Sequence, residues 1–446
     1  MSEALARAAC QQLRAAGHSA YVVGGFVRDR TLGRRPGDVD LATSAHPNQV
    51  LDVFPRSHAT GVQHGTVTAV LDEGVVEITT YRAEGGYSDQ RRPDEVQFLE
   101  RVEDDLARRD FTVNAMAWDP LDDRLIDPFG GRSDLRAGVL RCVGDPGERF
   151  NEDALRLLRA VRFVATHALR PAEGVEAAMC GAAAAIEAIA AERIEAELSA
   201  LLERADRPSE GLELARRCGL LEYILPEVLP MVGQAQNRFH AYDVWHHTMA
   251  CVDAAPSGNV ALRWAALLHD LGKPPSATEH PDRPGEFRFY GHERLSAEMG
   301  RAIAARLRMS NTRRARIGAL IETHMHHPDE TWGDAAVRRL LAKLEGDLFD
   351  DFLALKRADV QAIGTGDVPG ILAGVDRFEE RARAERAQGN AFSRKDLAVD
   401  GTDIAAYLGQ APGPWLGQVF AQLLDAVLED PSLNERQKLL KLLSKP

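Results

Sequence analysis

The chain of 446 residues has few cysteines, little lysine and no long apolar run. Its five cysteines are widely spaced without a C-x-x-C pair, which argues against zinc knuckles and a disulfide framework. We expect them to be reduced core residues. With no signal peptide and no apolar stretch of about 18 residues, the sequence predicts a cytoplasmic protein without a membrane partner.

Positive charge is also scarce, because the net charge is −13 and only seven of the 54 basic residues are lysine. A nucleic-acid partner requires positive surface, so any such surface must be local. The use of arginine fits either contacts to phosphate or a coding bias. Basic residues cluster at Arg28, Arg30, Arg34 and Arg35, and again at Arg313, Arg314 and Arg316.

Two carboxylates follow a double-glycine turn near the start of the chain. Gly24 and Gly25 precede Arg28, and Asp38-Val-Asp40 comes shortly afterwards. In an extended strand, residues two apart share a face, so both carboxylates can reach one point. Such hard oxygen donors suit Mg²⁺, while Gly25 lets backbone approach a triphosphate and Arg28 neutralises it. The pattern predicts a nucleotidyl-transfer site.

Arginines recur in two later segments. Arg108-Arg109-Asp110 stands just before an apolar stretch, either as an ordinary charged loop or as part of the same site. Beyond it, arginine occupies every third position of a predicted helix, which puts Asp153, Arg156, Arg159 and Arg162 on one stripe. The alternative is a solvated face with ion pairs within the helix. Because one carboxylate cannot match three guanidinium groups, we expect an anion nearby.

Histidines concentrate in the middle of the chain, where nine of the fourteen fall between His240 and His327. A His269-Asp270 pair ends the apolar run Trp264–Leu268. Two adjacent histidines on a helix cannot both face one site. The motifs are Trp245-His246-His247-Thr248, His269-Asp270-Leu-Gly-Lys273, Gly291-His292-Glu293, His324-Met-His326-His327 and Lys356-Arg-Ala-Asp359.

In this order, the motifs of the first half resemble those of the class II tRNA nucleotidyltransferases. These are the CCA-adding enzymes and their bacterial poly(A) polymerase relatives, within the polymerase-β-like superfamily. The resemblance runs along most of the chain. It rests on Gly24-Gly-Phe-Val-Arg28-Asp29, Asp38-Val-Asp40, Gly61-Val-Gln-His64-Gly65, Arg91-Arg92-Pro93, Arg108-Arg109-Asp110-Phe-Thr-Val-Asn114 and Glu152-Asp153-x-x-Arg156-x-x-Arg159.

The resemblance implies that Asp38 and Asp40 bind the catalytic metals. A tRNA 3′-hydroxyl would attack the α-phosphorus of CTP or ATP, with two Mg²⁺ ions about 3.5–4 Å apart. Asp153 and Arg156 would offer an acceptor and donors to the base edge. The remaining arginines, Arg109, Arg159 and Arg162, would hold the triphosphate or orient that pair.

A segment from Arg82 to Pro93 is predicted to be a mobile loop, because it carries a glycine pair followed by two arginines. In the family that it resembles, a loop here helps to switch specificity from C to A. Its apparent full length favours addition of both nucleotides.

The histidine motifs resemble those of the HD phosphohydrolase superfamily. The resemblance implies that His247, His269, Asp270 and Asp359 bind metal, with His292 and His324 as candidate ligands of a second site. Of the adjacent pair, His247 matches and His246 does not. Mixed imidazole and carboxylate ligands suit Mn²⁺, Ni²⁺ or Zn²⁺ better than Mg²⁺. The implied activity is phosphatase or cyclic phosphodiesterase, unless the metal is structural.

The predicted fold class is α+β, with a polymerase-β-like head followed by all-helical domains. The predicted boundaries are 1–145 for the catalytic head, 146–230 for the nucleotide-recognition neck, 231–365 for the HD domain and 366–446 for the tail, with breaks at Asp145-Pro146-Gly147, Pro226 and Pro230. The leading interpretation is a CCA-adding enzyme with an HD hydrolase. The alternatives are a CC-adding, A-adding or poly(A)-adding enzyme, and a nucleotide-binding regulator without catalysis. The sequence leaves the oligomeric state open.

Overall fold

The computed structural model describes residues 2–61, 65–85, 95–326, 331–344 and 346–443. The chain folds as two compact units, residues 1–226 and 227–446. The division falls at Pro226, one of the two prolines at which the sequence predicts a boundary. The finer division into four domains stays a prediction.

The first unit contains a mixed sheet and a set of helices that follow it. Its helices are α1 (Ser2–Ala15), α2 (Gly25–Thr31), α3 (Pro47–Val53), α4 (Val102–Ala107), α5 (Gly131–Ala137), α6 (Pro146–Glu152), α7 (Leu155–His167), α8 (Val175–Ala182), α9 (Ala191–Arg204), α10 (Pro208–Arg217) and α11 (Leu221–Ile224). Its strands are β1 (Ala20–Val23), β2 (Asp40–Thr43), β3 (Ser57–Gly61), β4 (Thr66–Leu71), β5 (Gly74–Thr80), β6 (Arg82–Gly85), β7 (Glu95–Phe98), β8 (Ala117–Asp119), β9 (Arg124–Ile126), β10 (Val139–Leu140) and β11 (Arg170–Pro171).

Within the described residues, seven strands form one sheet in the order β3-β4-β5-β2-β1-β8-β9. Strands β2 and β5 are parallel, and the other neighbours are antiparallel. Strand β4 alternates partly exposed threonines with buried Val67, Ala69 and Leu71, as expected of a sheet with one core face. Strand β2 lies at the centre of the sheet and begins with Asp40, which has its register partner in β5.

The second unit is mainly helical. Its helices are α12 (Val244–Ala254), α13 (Val260–Leu268), α14 (Lys273–Ser276), α15 (His292–Arg306), α16 (Asn311–Thr323), α17 (Asp334–Lys343), α18 (Leu348–Gln361), α19 (Val368–Ala387), α20 (Gly401–Leu408), α21 (Leu416–Glu429) and α22 (Arg436–Leu442), and its strands are β12 (Thr278–His280) and β13 (Arg283–Arg288). Helix α13 packs against α12, α16 and α18. Every residue of α13 after Val260 is buried, so the helix that leads into His269 runs through the core of the unit.

The predicted helical character after residue 145 is largely confirmed. Asp145 caps α6 by accepting a hydrogen bond from the backbone N of Glu148 at 2.9 Å, and Pro146 occupies the first turn. Two short strand pairs depart from the all-helical prediction: the parallel pair β10–β11 and the hairpin β12–β13. Pieces this short carry too little hydrophobic alternation to be recognised in a sequence.

Two other expectations are corrected by the fold. The stretch from Arg82, predicted as a loop, begins as strand β6, which pairs with β7; its residues 86–94 lie outside the described residues. Four of the five cysteines are buried, whereas Cys180 is exposed. No helix in the described parts of the chain is long and apolar enough to span a bilayer.

Candidate functional sites

Three carboxylates meet at the start of strand β2. Asp40 is its first residue, Asp38 lies in the bend just before it, and the intervening Val39 is buried at 3% exposure. Strand β5 runs alongside and puts Glu77 opposite Asp40. Burial, Glu77 and Asp38 raise the pKa of Asp40 to about 6, although Arg109 opposes the shift. Mutual repulsion of this kind is what a bound cation relieves.

Glu77 is not among the site residues predicted from the sequence. The sequence does indicate that its side chain faces outward, since Glu77 is a polar residue in the alternating segment Val75–Thr80. What the sequence does not contain is the pairing of β5 with β2, and only that pairing puts Glu77 beside Asp40.

The glycine turn lies against these carboxylates. Gly24 has a φ of +71°, and a Cβ added there would lie 3.4 Å from Nη1 of Arg109 and 3.9 Å from Oδ2 of Asp40. Gly25 starts helix α2 with Arg28 Nη2 at 3.5 Å from its would-be Cβ. The left-handed backbone that favours glycine therefore belongs to Gly24, not to the predicted Gly25.

Arg109 connects the turn to a buried acid. Its Nη2 donates to Asp105 at 3.3 Å, and its Nη1 donates to the backbone O of Asn114 at 3.4 Å. Asp105 is 1% exposed and also accepts from Arg108 at 3.0 Å. Burial alone would raise the pKa of Asp105, but Arg108 and Arg109 hold it below its ordinary value. The apparently ordinary charged stretch before Arg108 thus contains the group that orients Arg109.

Arg28 and Arg159 are linked through two polar residues. The Asn114 Oδ1 accepts from Arg28 Nη1 at 2.9 Å, and its Nδ2 donates to Asp110 Oδ1 at 3.2 Å. The other oxygen of Asp110 accepts from Arg159 Nε at 2.7 Å. Asp110 and Asn114 are both buried, so this chain of hydrogen bonds fixes two of the predicted phosphate-binding arginines relative to each other.

The predicted stripe of Asp153 and three arginines is wrong in one respect. Helix α6 ends at Glu152 and α7 begins at Leu155, so Asp153 lies in extended backbone between them with φ −143°. Its Oδ1 accepts from the backbone N of Leu155 at 3.0 Å. Asp153 and Arg156 are close in sequence, but they do not share a helix face.

The sequence predicts an anion near the three arginines because the stripe itself carries one carboxylate, but carboxylates from outside the stripe pair with all three. Three carboxylates pair with them: Glu152 with Arg156, Asp110 with Arg159 at 2.7 Å, and Glu197 with Arg162 at 2.6 Å. All three acids lie outside α7, because Glu152 ends α6, Asp110 follows α4 and Glu197 lies on α9. The stripe by itself is therefore no evidence for an anion. Sequence gave no signal for Glu197, since its approach to α7 depends on helix packing.

In the second unit, histidines and aspartates converge from five helices or from the residues that directly follow them. The Nε2 of His247, on α12, lies 3.1 Å from Oδ1 of Asp359, on α18. The Nε2 of His269, which follows α13, lies 3.9 Å from the same oxygen. A second group adjoins the first: Oδ1 of Asp270 lies 3.4 Å from His292 Nε2 and 3.9 Å from His324 Nε2. Each group is compact enough to hold a metal ion.

The four rings are oriented by backbone carbonyls. Each Nδ1 donates to one carbonyl oxygen: His247 to Ala362 at 3.2 Å, His269 to Ala266 at 2.8 Å, His292 to Phe289 at 2.7 Å and His324 to Ile321 at 2.6 Å. With each Nδ1 bonded to a carbonyl oxygen, all four Nε2 atoms face the cluster, where they can serve as ligand atoms, the arrangement that metal-binding histidines require.

The cluster also contains polar atoms without partners. Among the described residues, His269 Nε2 and both Asp270 oxygens are buried and make no hydrogen bond of good geometry. Lys273 Nζ lies 2.7 Å from Asp270 Oδ2, but as an ion pair whose angles are poor for a hydrogen bond. Burial alone would raise the pKa of Asp270, whereas His269 and Lys273 hold it well below its ordinary value. An anionic, partner-poor carboxylate among imidazoles fits a divalent cation.

The side chains of His246 and His247 point in different directions, as expected for adjacent residues on a helix. His247 is 1% exposed and faces the cluster, whereas His246 points to the surface and contacts Asp243 at 2.7 Å. His326 bonds to the backbone O of Thr323. Three predicted motifs fall partly or wholly outside the described residues: residues 62–64 of the Gly61–Gly65 segment, Arg91-Arg92-Pro93, and His327.

A cavity of about 540 Å³ opens onto the histidine cluster. Asp270, His292, His324 and Asp359 form part of its wall. The opposite wall comes largely from the β12–β13 hairpin and its flanks, with Arg283, Arg288 and the 77%-exposed Tyr290. The cluster is therefore reachable by a ligand that carries negative charge.

We expect the affinity of the β2 carboxylates for a divalent cation to fall as the pH decreases through about 6. Because burial and Glu77 raise the pKa of Asp40 to about 6, a proton competes with the cation at a higher pH than for an ordinary aspartate. Electron paramagnetic resonance of bound Mn²⁺, measured between about pH 5 and about pH 8 in a His269→Ala background, tests this. An affinity that stays constant through this range would contradict it.

Family models match most of the chain. They are a poly A polymerase head domain over residues 20–141, an RNA and SrmB binding site of polymerase A over 169–231, an HD domain over 240–360 and a tRNA nucleotidyltransferase domain 2 over 379–443. The CCA-adding enzyme of Geobacillus stearothermophilus is 34% identical over 96% of this chain and 93% of that protein. The CCA-adding enzyme of Latilactobacillus sakei is 34% identical over 97% and 95%, respectively.

Solved structures agree with these matches. The crystal structure of a Bacillus stearothermophilus CCA-adding enzyme in complex with CTP aligns with a TM-score of 0.72, at 29% identity, over 99% of this chain and 95% of the other. The Thermotoga maritima CCA-adding enzyme complexed with tRNA shares the fold at 19% identity, with a TM-score of 0.54.

The sheet, its carboxylates and the histidine cluster define a polymerase-β-like nucleotidyltransferase that carries an HD domain. Domains of both kinds depend on divalent metal ions. Given relatives 34% identical over nearly the whole length, the chain belongs to the family of CCA-adding enzymes. It is thus a tRNA nucleotidyltransferase, and the resemblance in its motifs is confirmed.

Proposed function

We propose that this protein adds CMP and AMP, taken from CTP and ATP, to the 3′ end of tRNA at the carboxylates of strand β2. The observation that carries the proposal is the convergence of Asp38, Asp40 and Glu77 beside the Gly24 turn and Arg109. The crystallised relative in complex with CTP, at 29% identity, supports a nucleotide as the ligand of this protein.

Asp38 and Asp40 are the proposed metal ligands, with Glu77 adjacent. Their hard oxygens and the raised pKa of Asp40 fit Mg²⁺. When bound, such ions neutralise the triphosphate and stabilise the attacking and leaving oxygens. The chain itself has the simpler task of positioning: Gly24 lets backbone approach the phosphates, and Arg28 and Arg109 supply positive charge.

Asp153 and Arg156 are the proposed readers of the base, with Arg159 and Arg162 supporting them. Asp153 offers an acceptor. Arg156 has five N–H donors, and its contacts to Glu152 and to the backbone oxygens of Arg108 and Arg149 use three. Those contacts hold the guanidinium in one orientation while leaving donor capacity for a base edge, which favours selection without a nucleic-acid template.

Extension of labelled tRNA tests the transferase proposal. Substrates that end before the CCA, after its first C and after its second C are incubated with Mg²⁺ and with CTP, ATP or both. We expect stepwise growth that stops at a complete CCA end. Addition of C alone, addition of A alone, or unbounded A tailing would replace the proposal with one of the narrower transferases.

For the HD domain, we propose metal-dependent hydrolysis of phosphate esters. The proposal rests on the four inward-facing Nε2 atoms and the partner-poor oxygens of Asp270. Imidazole and carboxylate ligands together favour Mn²⁺, Ni²⁺ or Zn²⁺. A bound ion would polarise a phosphoryl oxygen and lower the pKa of its water. The positive side chains of Lys273, Arg283 and Arg288 line the adjoining cavity and suit a phosphate group.

A further inference from the structure

The hairpin β12–β13 carries two arginines with different surroundings. Arg283 pairs with Glu286 Oε2 at 3.3 Å, so its charge is matched within the hairpin. Arg288 pairs with no carboxylate in the part of the chain that the structure describes, and its Nη2 instead contacts Nε2 of His280 at 2.6 Å. Both Arg288 and His280 line the cavity that opens onto the histidine cluster. The hairpin thus presents a guanidinium without an acidic partner to that cavity.

His280 faces N–H donors on both sides of its ring. Its Nε2 contacts Arg288, and its Nδ1 lies 3.2 Å from the backbone N of Asp282. An imidazole carries a proton on at least one nitrogen, so one of the two contacts brings two N–H groups together. With an anion in the cavity, the proton can occupy Nε2, so that His280 and Arg288 both donate to the anion while Nδ1 accepts from Asp282. The pair is therefore better satisfied with an anion than without one.

Exposed aromatic rings line the same cavity. Among the described residues, Tyr290 and Phe239 are the most exposed large hydrophobic side chains, at 77% and 60%. Both belong to the wall of this cavity. An exposed ring beside a polar site is suited to stack on a planar group, and every nucleobase offers such a face. The volume of about 540 Å³ lies in the range that small-molecule ligands occupy.

The positive charges of the cavity are divided between its two walls. Lys273 Nζ lies 2.7 Å from Asp270 Oδ2, which places this charge on the wall of the histidine cluster. Arg288 and His280 belong to the hairpin on the other wall. A single phosphate beside the cluster would leave the hairpin pair without an acceptor. Two separate cationic positions suit a ligand that carries two anionic groups.

We propose that His280 and Arg288 form an anion subsite opposite the histidine cluster, and that the HD domain hydrolyses nucleotides that carry a second phosphate. This deepens the phosphate-ester hydrolysis proposed above and rests on it. One phosphate lies beside the cluster and Lys273, and the second lies on the hairpin and is not cleaved. Water forms a new P–O bond to the first phosphate, the ester P–O bond breaks, and the nucleoside oxygen leaves with a proton of that water. The products are inorganic phosphate and a nucleoside monophosphate.

Adenosine 3′,5′-bisphosphate tests the subsite against adenosine 3′-monophosphate and 5′-monophosphate, each of which lacks one of its phosphates. With Mn²⁺ supplied, we expect the intact protein to release phosphate from the bisphosphate with a kcat/KM about tenfold higher, the size of one charge-assisted hydrogen bond. Arg288→Ala and His280→Ala should each remove most of this preference, and Arg288→Lys, which keeps the charge, should retain part of it. Arg294→Ala removes an exposed arginine of helix α15 and is the matched control, which should leave the preference unchanged.

Binding separates the failure of this inference from the failure of the proposed hydrolysis. Isothermal titration of adenosine 3′,5′-bisphosphate into the protein with Mn²⁺ reports the subsite without turnover. Because Arg288 lies in the second unit, the difference between the intact protein and Arg288→Ala reports the HD cavity and not the head. Weaker binding by Arg288→Ala, with no phosphate released by the intact protein, would support the subsite and overturn the hydrolysis.

Two other results would overturn the subsite. One is an equal kcat/KM for the bisphosphate and the monophosphates, and the other is a preference that survives Arg288→Ala. Either result would leave the proposed hydrolysis standing, whereas the absence of both hydrolysis and an effect of Arg288→Ala on binding would overturn the two together. Melting temperatures accompany each variant, and Arg288→Gln replaces Arg288→Ala if the latter does not fold.

Discussion

Asp40→Asn should reduce nucleotide addition at least about a thousandfold, corresponding to the several kcal/mol that metal ions contribute to the transition state of phosphoryl transfer. Asparagine keeps the shape of the side chain and removes its charge. Asp40 begins the central strand of the sheet, beside the turn at Gly24 and opposite Glu77, so its substitution removes a charged oxygen donor from the proposed metal site. Gel-based extension of a tRNA lacking its CCA end measures the loss.

Stability provides the readout that separates a chemical loss from a folding loss. The pKa of Asp40 is raised to about 6, so above that pH the charged carboxylate costs the folded state free energy. Asp40→Asn removes this cost and should melt no lower than the intact protein when metal is absent. Stabilisation by added Mg²⁺ should shrink, since a ligand stabilises only a state that binds it.

Asp52→Asn is the matched control, because Asp52 is an exposed aspartate on α3 in the same unit. It should leave both addition and Mg²⁺ stabilisation unchanged. Full addition by Asp40→Asn would mean that the metal ligands have been assigned to the wrong strand.

Most of the structural features that the sequence predicts depend on patterns among neighbouring residues. Asp40 begins a strand and Asp38 lies two residues before it, a relation set by consecutive residues, and Asp145 caps a helix for an equally local reason. His247 faces its cluster and His246 does not, as adjacency on a helix demands. Such features need no knowledge of the rest of the fold.

The contacts that the sequence does not predict depend on pairing between elements that are far apart in the chain. Glu77 meets Asp40 through the β2–β5 register, and Glu197 meets Arg162 through the packing of α9 on α7. The three-residue spacing of the arginines predicts a continuous helix, but the helix is interrupted at Asp153. The three-residue spacing cannot reveal this interruption, because it depends only on position in the sequence. A residue in extended backbone keeps the same spacing as a helical residue.

The two proposed metal sites differ in the burial and the orientation of their candidate ligands. At the sheet, burial and the neighbouring carboxylates of Glu77 and Asp38 raise the pKa of Asp40. In the HD domain, the ligands are buried and each imidazole is fixed by a backbone carbonyl. The first arrangement suits an ion that binds together with the nucleotide and retains part of its hydration shell. The second suits an ion that remains bound to the protein.

Asp270→Asn should remove metal from the HD domain and abolish its phosphate-ester hydrolysis while CCA addition continues. Asp270 contributes to the cluster through two buried oxygens without good hydrogen bonds, one of them 2.7 Å from Lys273 Nζ. Asparagine cannot supply the same charge, so the metal loses an anionic ligand and Lys273 loses its ion pair. Metal content by mass spectrometry and hydrolysis of bis(p-nitrophenyl) phosphate with Mn²⁺, Ni²⁺ or Zn²⁺ measure the two losses.

Adjacent residues of helix α12 provide the sharpest control for this prediction. His247→Ala removes a buried ligand and should reproduce the loss of metal, whereas His246→Ala removes an exposed ring one residue away and should retain it. Asp243→Asn preserves the helix cap and should also be neutral. Metal retained by both Asp270→Asn and His247→Ala would exclude the proposed site. Metal lost without any hydrolysis by the intact protein would instead make the ion structural, holding together the five helices on or next to which its candidate ligands lie.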